Sequence, residues 1–181
     1  LVSVMLANNE VGTVQPVAEI ARLAHACGAR VHTDAVQACG KIPVDVAALG
    51  VDLLSLAGHK FHGPSGAAAL WVRRGVRLVP LVHGGHQERS RRAGTENLPA
   101  IVGLGVAADR AAARLESDAS RVRALAHSLA DGIASLEPSV RRNGDPSRGL
   151  PGIVNLTFPG LDGEAVLHAL DRRGVTVSTG S

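Results

Sequence analysis

Apolar and polar positions alternate in blocks along the first 72 residues, and these blocks predict strands that alternate with helices. Short apolar runs predict buried strands at Leu1–Leu6, Arg30–Thr33, Val51–Leu56 and Ala67–Val72. Apolar residues at helical spacing after Pro16 predict an amphipathic helix that ends at Gly28, and a shorter helix is predicted at Val44–Leu49. This order indicates an α/β fold with a mostly parallel sheet.

The rest of the chain has a different pattern. His83–Thr95 shows no periodicity and is rich in His, Gly and Arg, which predicts a long functional loop. Beyond it we expect helix over 98–136 with an interruption near Glu116–Ser120, a turn at 143–152, a strand at Ile153–Phe158, a helix at Asp162–Arg173 and a strand at Val175–Ser178. The pattern therefore predicts a sheet domain over residues 1–115 and a smaller α+β domain over residues 116–181.

Composition excludes several classes of protein. No apolar run approaches the roughly 18 residues that a membrane span needs, so we expect no membrane association. The net charge of +3 is scattered along the chain and Tyr is absent, which argues against nucleic-acid binding. Cys27 and Cys39 form no CxxC pattern, so we expect a reducing, cytoplasmic setting, with Cys27 in the core and Cys39 structural.

Both ends of the chain fall beside predicted strands. Leu1 already lies in an apolar run, and Ser181 follows the predicted strand at Val175–Ser178 within a few residues. Because domains rarely start or stop inside such elements, we expect this chain to be a fragment of a longer protein.

Three polar clusters follow the first three predicted strands, where α/β sheets bind ligands. They are Asn8-Asn9-Glu10, the run from Asp34 to Gln37, and Gly58-His59-Lys60. A carboxylate, an amide and a lysine that converge at neighbouring strand ends can bind a pyridine aldehyde. The lysine would form the imine, and the carboxylate would keep the ring nitrogen protonated. The chain has only two lysines, Lys41 and Lys60, so few positions could serve.

Four segments carry a family resemblance. They are Asn8-Asn9-Glu10-Val11-Gly12, His32-Thr33-Asp34-Ala35-Val36-Gln37, Gly58-His59-Lys60-Phe61-His62-Gly63-Pro64, and His83-Gly84-Gly85-His86-Gln87-Glu88-Arg89 with Arg92-Ala93-Gly94-Thr95. In this order they resemble the cysteine desulfurases, which belong to the class V aminotransferase group of fold-type I pyridoxal 5'-phosphate (PLP) enzymes. The resemblance implies a three-layer, mostly parallel α/β large domain whose C-terminal part is residues 1–115. Residues 116–181 would then be the first part of the small C-terminal domain.

The resemblance also implies roles for individual residues. Lys60 would be the catalytic Schiff-base lysine, and Asp34 would be the partner of the pyridinium nitrogen. Gln37 would donate a hydrogen bond to the phenolic oxygen of the cofactor, and Asn9 would lie beside that oxygen and the substrate carboxylate. These residues would form the cofactor site together with two that contact phosphate.

The two phosphate contacts would come from His59 and Thr95. Thr95 would reach the phosphate of the neighbouring subunit, which implies a homodimer. Two positions depart from the family pattern: Ala57 stands where many members have a phosphate-binding Ser, and His86 stands where a third Gly is common. We therefore expect one missing hydroxyl contact and an altered loop.

The implied activity is conversion of L-cysteine to L-alanine, with sulfur passed as a persulfide to an acceptor or scaffold protein for iron–sulfur cluster or tRNA-thiolation chemistry. The family's nucleophilic cysteine would follow the run Ser178-Thr179-Gly180-Ser181, and neither cysteine of this chain matches it. We therefore expect the chain as given to be inactive.

Other interpretations remain open. A selenocysteine lyase or another class V enzyme would share the cofactor motifs, and the chain could also be a non-catalytic fragment or pseudoenzyme. Lys60 alone could be a surface lysine. The pairs His59/His62 and His83/His86 suggest a metal, but no cysteine or carboxylate completes a tetrahedral set, so we expect no metal site.

Overall fold

The computed structural model describes residues 1–180 and divides the chain into two compact units. The first contains residues 1–7 and 15–116, and the second contains residues 8–14 and those from 117 onward. The assignment of residues 1–115 and 116–181 to a large and a small enzyme domain stays a prediction.

A four-stranded sheet forms the centre of the first unit, in the order β1-β2-β3-β4. The strands are β1 Val2–Met5, β2 Val31–Asp34, β3 Leu53–Ala57 and β4 Ala68–Val72. The first three strands are parallel and β4 is antiparallel to β3, so the predicted α/β fold with a mostly parallel sheet is confirmed. The strands lie within two residues of their predicted positions.

Helices connect these strands and cover the apolar side chains. They are α1 Val17–Ala26, α2 Val46–Leu49, a 3₁₀ helix Gly58–Phe61, a short turn α3 Gln87–Ser90 and the long α4 Leu98–Leu136. The buried apolar residues of α1, Val17, Ala21 and Ala24, recur at helical spacing. Asp45 caps α2 by accepting hydrogen bonds from the backbone N–H groups of Ala47 and Ala48.

The predicted interruption of α4 near Glu116–Ser120 is wrong, because the helix is continuous from Leu98 to Leu136. That stretch contains neither Gly nor Pro, and its Ser and Asp residues disfavour a helix only weakly. Asp118 also lies 3.8 Å from Arg121, one turn further on, in an i,i+3 ion pair. The polar residues of this exposed helical stretch therefore led to the wrong prediction of a loop.

The second unit contains a two-stranded antiparallel sheet, β5 Arg141–Asn143 with β6 Asn155–Thr157, followed by helix α5 Gly163–Asp171. β5 was not predicted, because its sequence Arg-Arg-Asn is polar. The predicted strand at Val175–Ser178 is wrong: none of the described residues pairs with it, and Val175 and Val177 are exposed.

The expectation of a core position for Cys27 is also wrong, because this side chain is exposed. α1 ends at Ala26, and Cys27 is its C-cap residue, followed by Gly28 in the left-handed conformation at φ 71°. Cys27 therefore lies beyond the last buried turn.

No helix within residues 1–180 is both long and apolar enough to cross a bilayer.

A buried carboxylate ties together the amino ends of β2 and β3. Asp52 is 1% exposed and accepts hydrogen bonds from Val31 N at 2.9 Å, His25 Nε2 at 2.8 Å and Arg30 at 3.1 Å. Burial alone would raise the pKa of Asp52, but these hydrogen bonds outweigh it and hold the pKa below its ordinary value. The ionised form therefore stabilises the fold.

We predict that Asp52→Asn lowers the free energy of unfolding by about 1–3 kcal/mol at pH 7, because it removes the buried negative charge that accepts hydrogen bonds from Val31 N and from the partly exposed side chains of His25 and Arg30. The folded pKa is depressed, so the stabilisation is complete above the unfolded pKa of about 4 and is lost as the pH falls below it. Urea unfolding between pH 3 and pH 8 measures both effects.

The matched control is Asp45→Asn, which keeps a good cap for α2 and should change stability little. If Asp52→Asn costs no more than this control at pH 7, or if the difference between Asp52→Asn and wild type does not narrow below about pH 4, the account of this carboxylate is wrong.

Candidate functional site

The parallel register brings two predicted site residues to one edge of the sheet. Asp34, the last residue of β2, pairs with Ser55 of β3, and β3 ends two residues later at Ala57. The 3₁₀ helix Gly58–Phe61, which carries His59 and Lys60, follows at once. The carboxyl ends of β2 and β3 therefore lead directly into the segments that carry Asp34 and Lys60.

A tight contact joins the two segments that follow these strands. The chain turns through residues 35–42, with Ala38 N and Cys39 N both donating to Ala35 O. Gly40 ends this turn at φ 75°, and a Cβ placed there would lie 2.7 Å from the Cβ of Phe61. Phe61 is buried and directly follows Lys60. The Asp34–Lys41 turn and the Lys60 turn are thus packed against each other.

Asp34 and Lys60 have few partners within the protein. Asp34 is half-buried, and its Oδ1 accepts a hydrogen bond from Val36 N at 2.9 Å. Within residues 1–180 the structure gives Asp34 no ion pair, and it gives the exposed Lys60 side chain neither an ion pair nor a hydrogen bond. A carboxylate and an amine at one edge are therefore available to a ligand.

One end of the Gln37 amide, the carbonyl oxygen, has a hydrogen-bond partner within the protein. Its Oε1 accepts a hydrogen bond from Lys41 Nζ at 2.9 Å, which leaves its NH₂ group as a donor. Lys41 was not among the predicted site residues. Its signal was present in the sequence, because Gln37 and Lys41 are four positions apart, a spacing that places two side chains on one face of a helical turn.

Charges at this edge act on one another. Burial lowers the pKa of Lys41, and the neighbouring positive charge of Lys60 lowers it further. Burial also raises the pKa of the half-buried Cys39 thiol, and the negative charge of Asp34 adds to that effect. Cys39 therefore stays a protonated thiol near the Asp34 carboxylate and is a poor nucleophile.

The backbone of the Lys60 turn is closely packed. Gly58 N donates to Ala67 O, and Gly63 N donates to Gly58 O at 2.8 Å. A Cβ at Gly63 would lie 3.0 Å from that same oxygen. His62 closes the turn in the left-handed conformation at φ 67°. Lys60 thus lies in a tight turn, in which a methyl group added at Gly63 would require the backbone of Gly58 to shift.

The three remaining predicted site residues are His59, Asn9 and Thr95. His59 shares the Lys60 turn and is exposed. Asn9 belongs to the second unit, in a turn where Asn8 Oδ1 accepts hydrogen bonds from the backbone of Glu10 and Val11. Thr95 is exposed, and within residues 1–180 no hydrogen bond joins it to Asp34 or Lys60. The structure thus groups Asp34, Gln37, His59 and Lys60.

Both departures from the family pattern fall in ordered segments. Ala57 is the last residue of β3, paired with Ala68. His86 begins the short turn α3, in which Glu88, Arg89 and Ser90 all have positive φ between 49° and 62°. This run of left-handed residues is costly for side chains other than Gly and Asn.

Among residues 1–180 no three His, Cys, Asp or Glu side chains are placed to hold a metal ion.

Residues 1–181 match the family described as Aminotransferase class-V. The chain belongs to the class-V aminotransferase family. Its relatives include a cysteine desulfurase of Gluconacetobacter diazotrophicus, 50% identical over 181 residues, and the cysteine desulfurase NifS of Azotobacter vinelandii, also 50% identical over 181 residues. Both matches cover 100% of this chain and 45% of the relative.

Solved structures agree with this class-V assignment. One described as a NifS-like protein has a TM-score of 0.93 at 40% identity, covering 98% of this chain and 48% of its own. A NifS-like protein from Rickettsia africae has a TM-score of 0.94 at 35% identity, covering 99% of this chain and 49% of its own. The chain thus spans about half the length of the relatives that it matches.

We predict that Gly63→Ala destabilises this class-V chain by about 1–3 kcal/mol, because the new methyl group would press on the carbonyl of Gly58. Gly105→Ala is the matched control: this helical residue has no atom within 4 Å of an added Cβ, so the change should stabilise by about 0.5–1 kcal/mol. Thermal unfolding of both variants measures the difference. Equal melting temperatures would contradict the close packing of the Lys60 turn.

Proposed function

We propose that the protein containing this chain is a PLP-dependent cysteine desulfurase. It converts L-cysteine to L-alanine and passes the sulfur, as a persulfide, to an acceptor or scaffold protein of iron–sulfur cluster or thio-cofactor and tRNA biosynthesis. The names of the relatives and the class-V family support this activity. The single observation that carries it is that the Asp34 carboxylate and the Lys60 amine follow neighbouring strand ends at one edge of the sheet. Neither group forms an ion pair within residues 1–180.

The residues at this edge match the chemistry of PLP. The cofactor presents a ring nitrogen, a phenolic oxygen, an aldehyde and a phosphate. Asp34 offers an acceptor for the protonated nitrogen, Gln37 offers a donor for the phenolic oxygen, and Lys60 offers an amine for the aldehyde. His59, in the same turn as Lys60, is the candidate phosphate contact, while Ala57 lacks the hydroxyl that would add another. The fit is therefore good for the ring and weaker for the phosphate.

When bound, PLP supplies an electron sink that stabilises negative charge at the α-carbon of the amino acid. The side chains of this chain have the complementary tasks. The Asp34 carboxylate would hold a proton on the ring nitrogen, and the Lys60 amine would hold the aldehyde and serve as the base at the substrate α-carbon. Gln37 and Asn9 would orient the phenolic oxygen and the substrate carboxylate.

The sulfur-accepting cysteine of the proposed reaction is neither of the two described here. Cys39 lies next to Asp34, and its pKa is raised, so it does not supply a thiolate. Cys27 lies just before β2, three residues from Arg30 at the amino end of that strand, whereas Asp34 is at the carboxyl end. We infer that another part of the protein provides the nucleophile.

The proposed enzyme acts as a homodimer in the cytoplasm. The exposed side chain of Thr95, on the loop between α3 and α4, supports a phosphate contact to a second subunit. The absence of a CxxC pattern supports a reducing compartment. Analytical ultracentrifugation of the protein from the full open reading frame tests the dimer.

The covalent attachment of the cofactor is the first test. Protein from the full reading frame, incubated with PLP and reduced with borohydride, should carry the cofactor on the peptide that contains Lys60. We predict that Lys60→Ala abolishes this adduct and the visible absorbance of bound cofactor, because the amine that reacts with the aldehyde is gone.

Lys41 provides an internal control, since it is the other lysine of the chain. An adduct on Lys41, or one that persists unchanged in Lys60→Ala, would refute the assignment. Lys60→Arg should also fail to form the adduct, which separates the loss of the amine nucleophile from the loss of positive charge.

The role of Asp34 gives a second prediction. Asp34→Asn should lower kcat for conversion of L-cysteine to L-alanine by about 100-fold or more, because an amide does not keep the ring nitrogen protonated. PLP should still attach to Lys60 in this variant, as borohydride reduction would show. A variant with near-normal kcat would exclude Asp34 as the partner of the nitrogen.

Turnover identifies the substrate. Release of alanine from L-cysteine, together with sulfide or persulfide, supports the desulfurase. Release of selenide from selenocysteine with no turnover of cysteine would instead identify a selenocysteine lyase. Sequencing the reading frame on both sides of these residues shows directly whether a cysteine follows the run that ends at Ser181, a residue outside the described part of the chain.

A further inference from the structure

The second lysine of the chain lies at the candidate site without a predicted role. Lys41 Nζ donates a hydrogen bond of 2.9 Å to Gln37 Oε1, and both residues belong to the turn that follows β2. Lys41 is half-buried, and the close contact between Gly40 and Phe61 presses its backbone against the Lys60 turn. Lys41 therefore contacts the amide of Gln37 directly and is near enough to Lys60 to be affected by its charge.

The contact with Lys41 decides which way the amide of Gln37 points. An ammonium group only donates hydrogen bonds, so its partner in the amide must be the carbonyl oxygen and not the NH₂ group. The NH₂ group is then turned away from Lys41 and is free to donate to something else. Without Lys41 the two ends of the amide could exchange places at little cost.

The same contact strengthens the donor. The positive charge of Lys41, placed beside the carbonyl oxygen of Gln37, polarises the amide. Hydrogen bonds in a chain reinforce one another when the surroundings exclude water. Part of the Lys41 side chain is buried, so solvent screens the charge only partly. Gln37 therefore presents a more positive NH₂ group than an exposed glutamine would.

We propose that Lys41 is a positioning residue that fixes the amide of Gln37 with its NH₂ group as a hydrogen-bond donor toward the phenolic oxygen of PLP. This inference rests on the proposed function, since it needs the cofactor at this edge. Lys41 does not touch the reacting atoms and acts through Gln37. Lys60, Asp34 and Cys39 are the other titratable groups coupled to this edge.

The test is a double-mutant cycle in protein from the full reading frame. Lys41→Met removes the donor but keeps a long apolar stem, Lys41→Arg retains a cationic donor, and Gln37→Ala removes the amide. Each variant is titrated with PLP, and the pH midpoint of the visible absorbance of bound cofactor is recorded. That midpoint reports proton binding near the phenolic oxygen and does not respond to a small loss of stability.

Lys41→Met should weaken PLP binding about fivefold to tenfold and raise the midpoint by about 1 pH unit, because a hydrogen bond to the deprotonated oxygen is lost. Lys41→Arg should restore most of both values. In the Gln37→Ala background, Lys41→Met should change either value by less than about a third as much.

Three results would overturn the proposal. An equal effect of Lys41→Met in both backgrounds would show that Lys41 acts by charge alone, without Gln37. No effect in either background would show that it has no role at this edge. If the wild-type protein itself never attaches PLP to Lys60, the proposed function fails, and this inference fails with it. That outcome is visible before any Lys41 variant is made.

Discussion

The parallel pairing of β2 with β3 is the constraint on which the site depends. Because Asp34 lies opposite Ser55, the two strands end within two residues of each other. A shift of one residue would turn Asp34 to the other face of the sheet, since side chains alternate along a strand. Paired strand ends thus bring together two segments that are more than twenty positions apart in sequence.

Two glycines allow the segments that follow β2 and β3 to pack closely. Gly40 has positive φ and lets Phe61 approach to a distance that no other residue would allow, and Gly63 lets the chain fold back over the carbonyl of Gly58. Lys60 precedes the anchored Phe61, so its backbone is fixed while its side chain remains exposed. A fixed backbone with a free amine suits a residue that must react with a ligand.

Most of the strands of the sheet could be predicted from the sequence, because apolar runs bounded by turn residues have few other structures available to them. Elements in polar sequence were less predictable. β5 is Arg-Arg-Asn and depends on its partner β6, while the polar stretch at 116–120 is helical because nothing in it breaks a helix. Strand ends pointed to Asp34 and Lys60. The role of Lys41 depends on the direction of an amide, which no spacing in the sequence reports.

The two edges of the sheet use charge in opposite ways. At the amino ends of β2 and β3, Asp52 is buried, accepts hydrogen bonds from three groups and has a lowered pKa, so its charge is fully used for stability. At the carboxyl ends, Asp34 accepts one backbone hydrogen bond and no cation of the described residues pairs with it. Asp34 therefore lacks the ion pairs that hold Asp52, and its negative charge is available to a ligand. The stability of one edge therefore leaves the other edge free to keep its charged groups uncommitted. Substitution of Asp34 is therefore expected to cost less stability than substitution of Asp52.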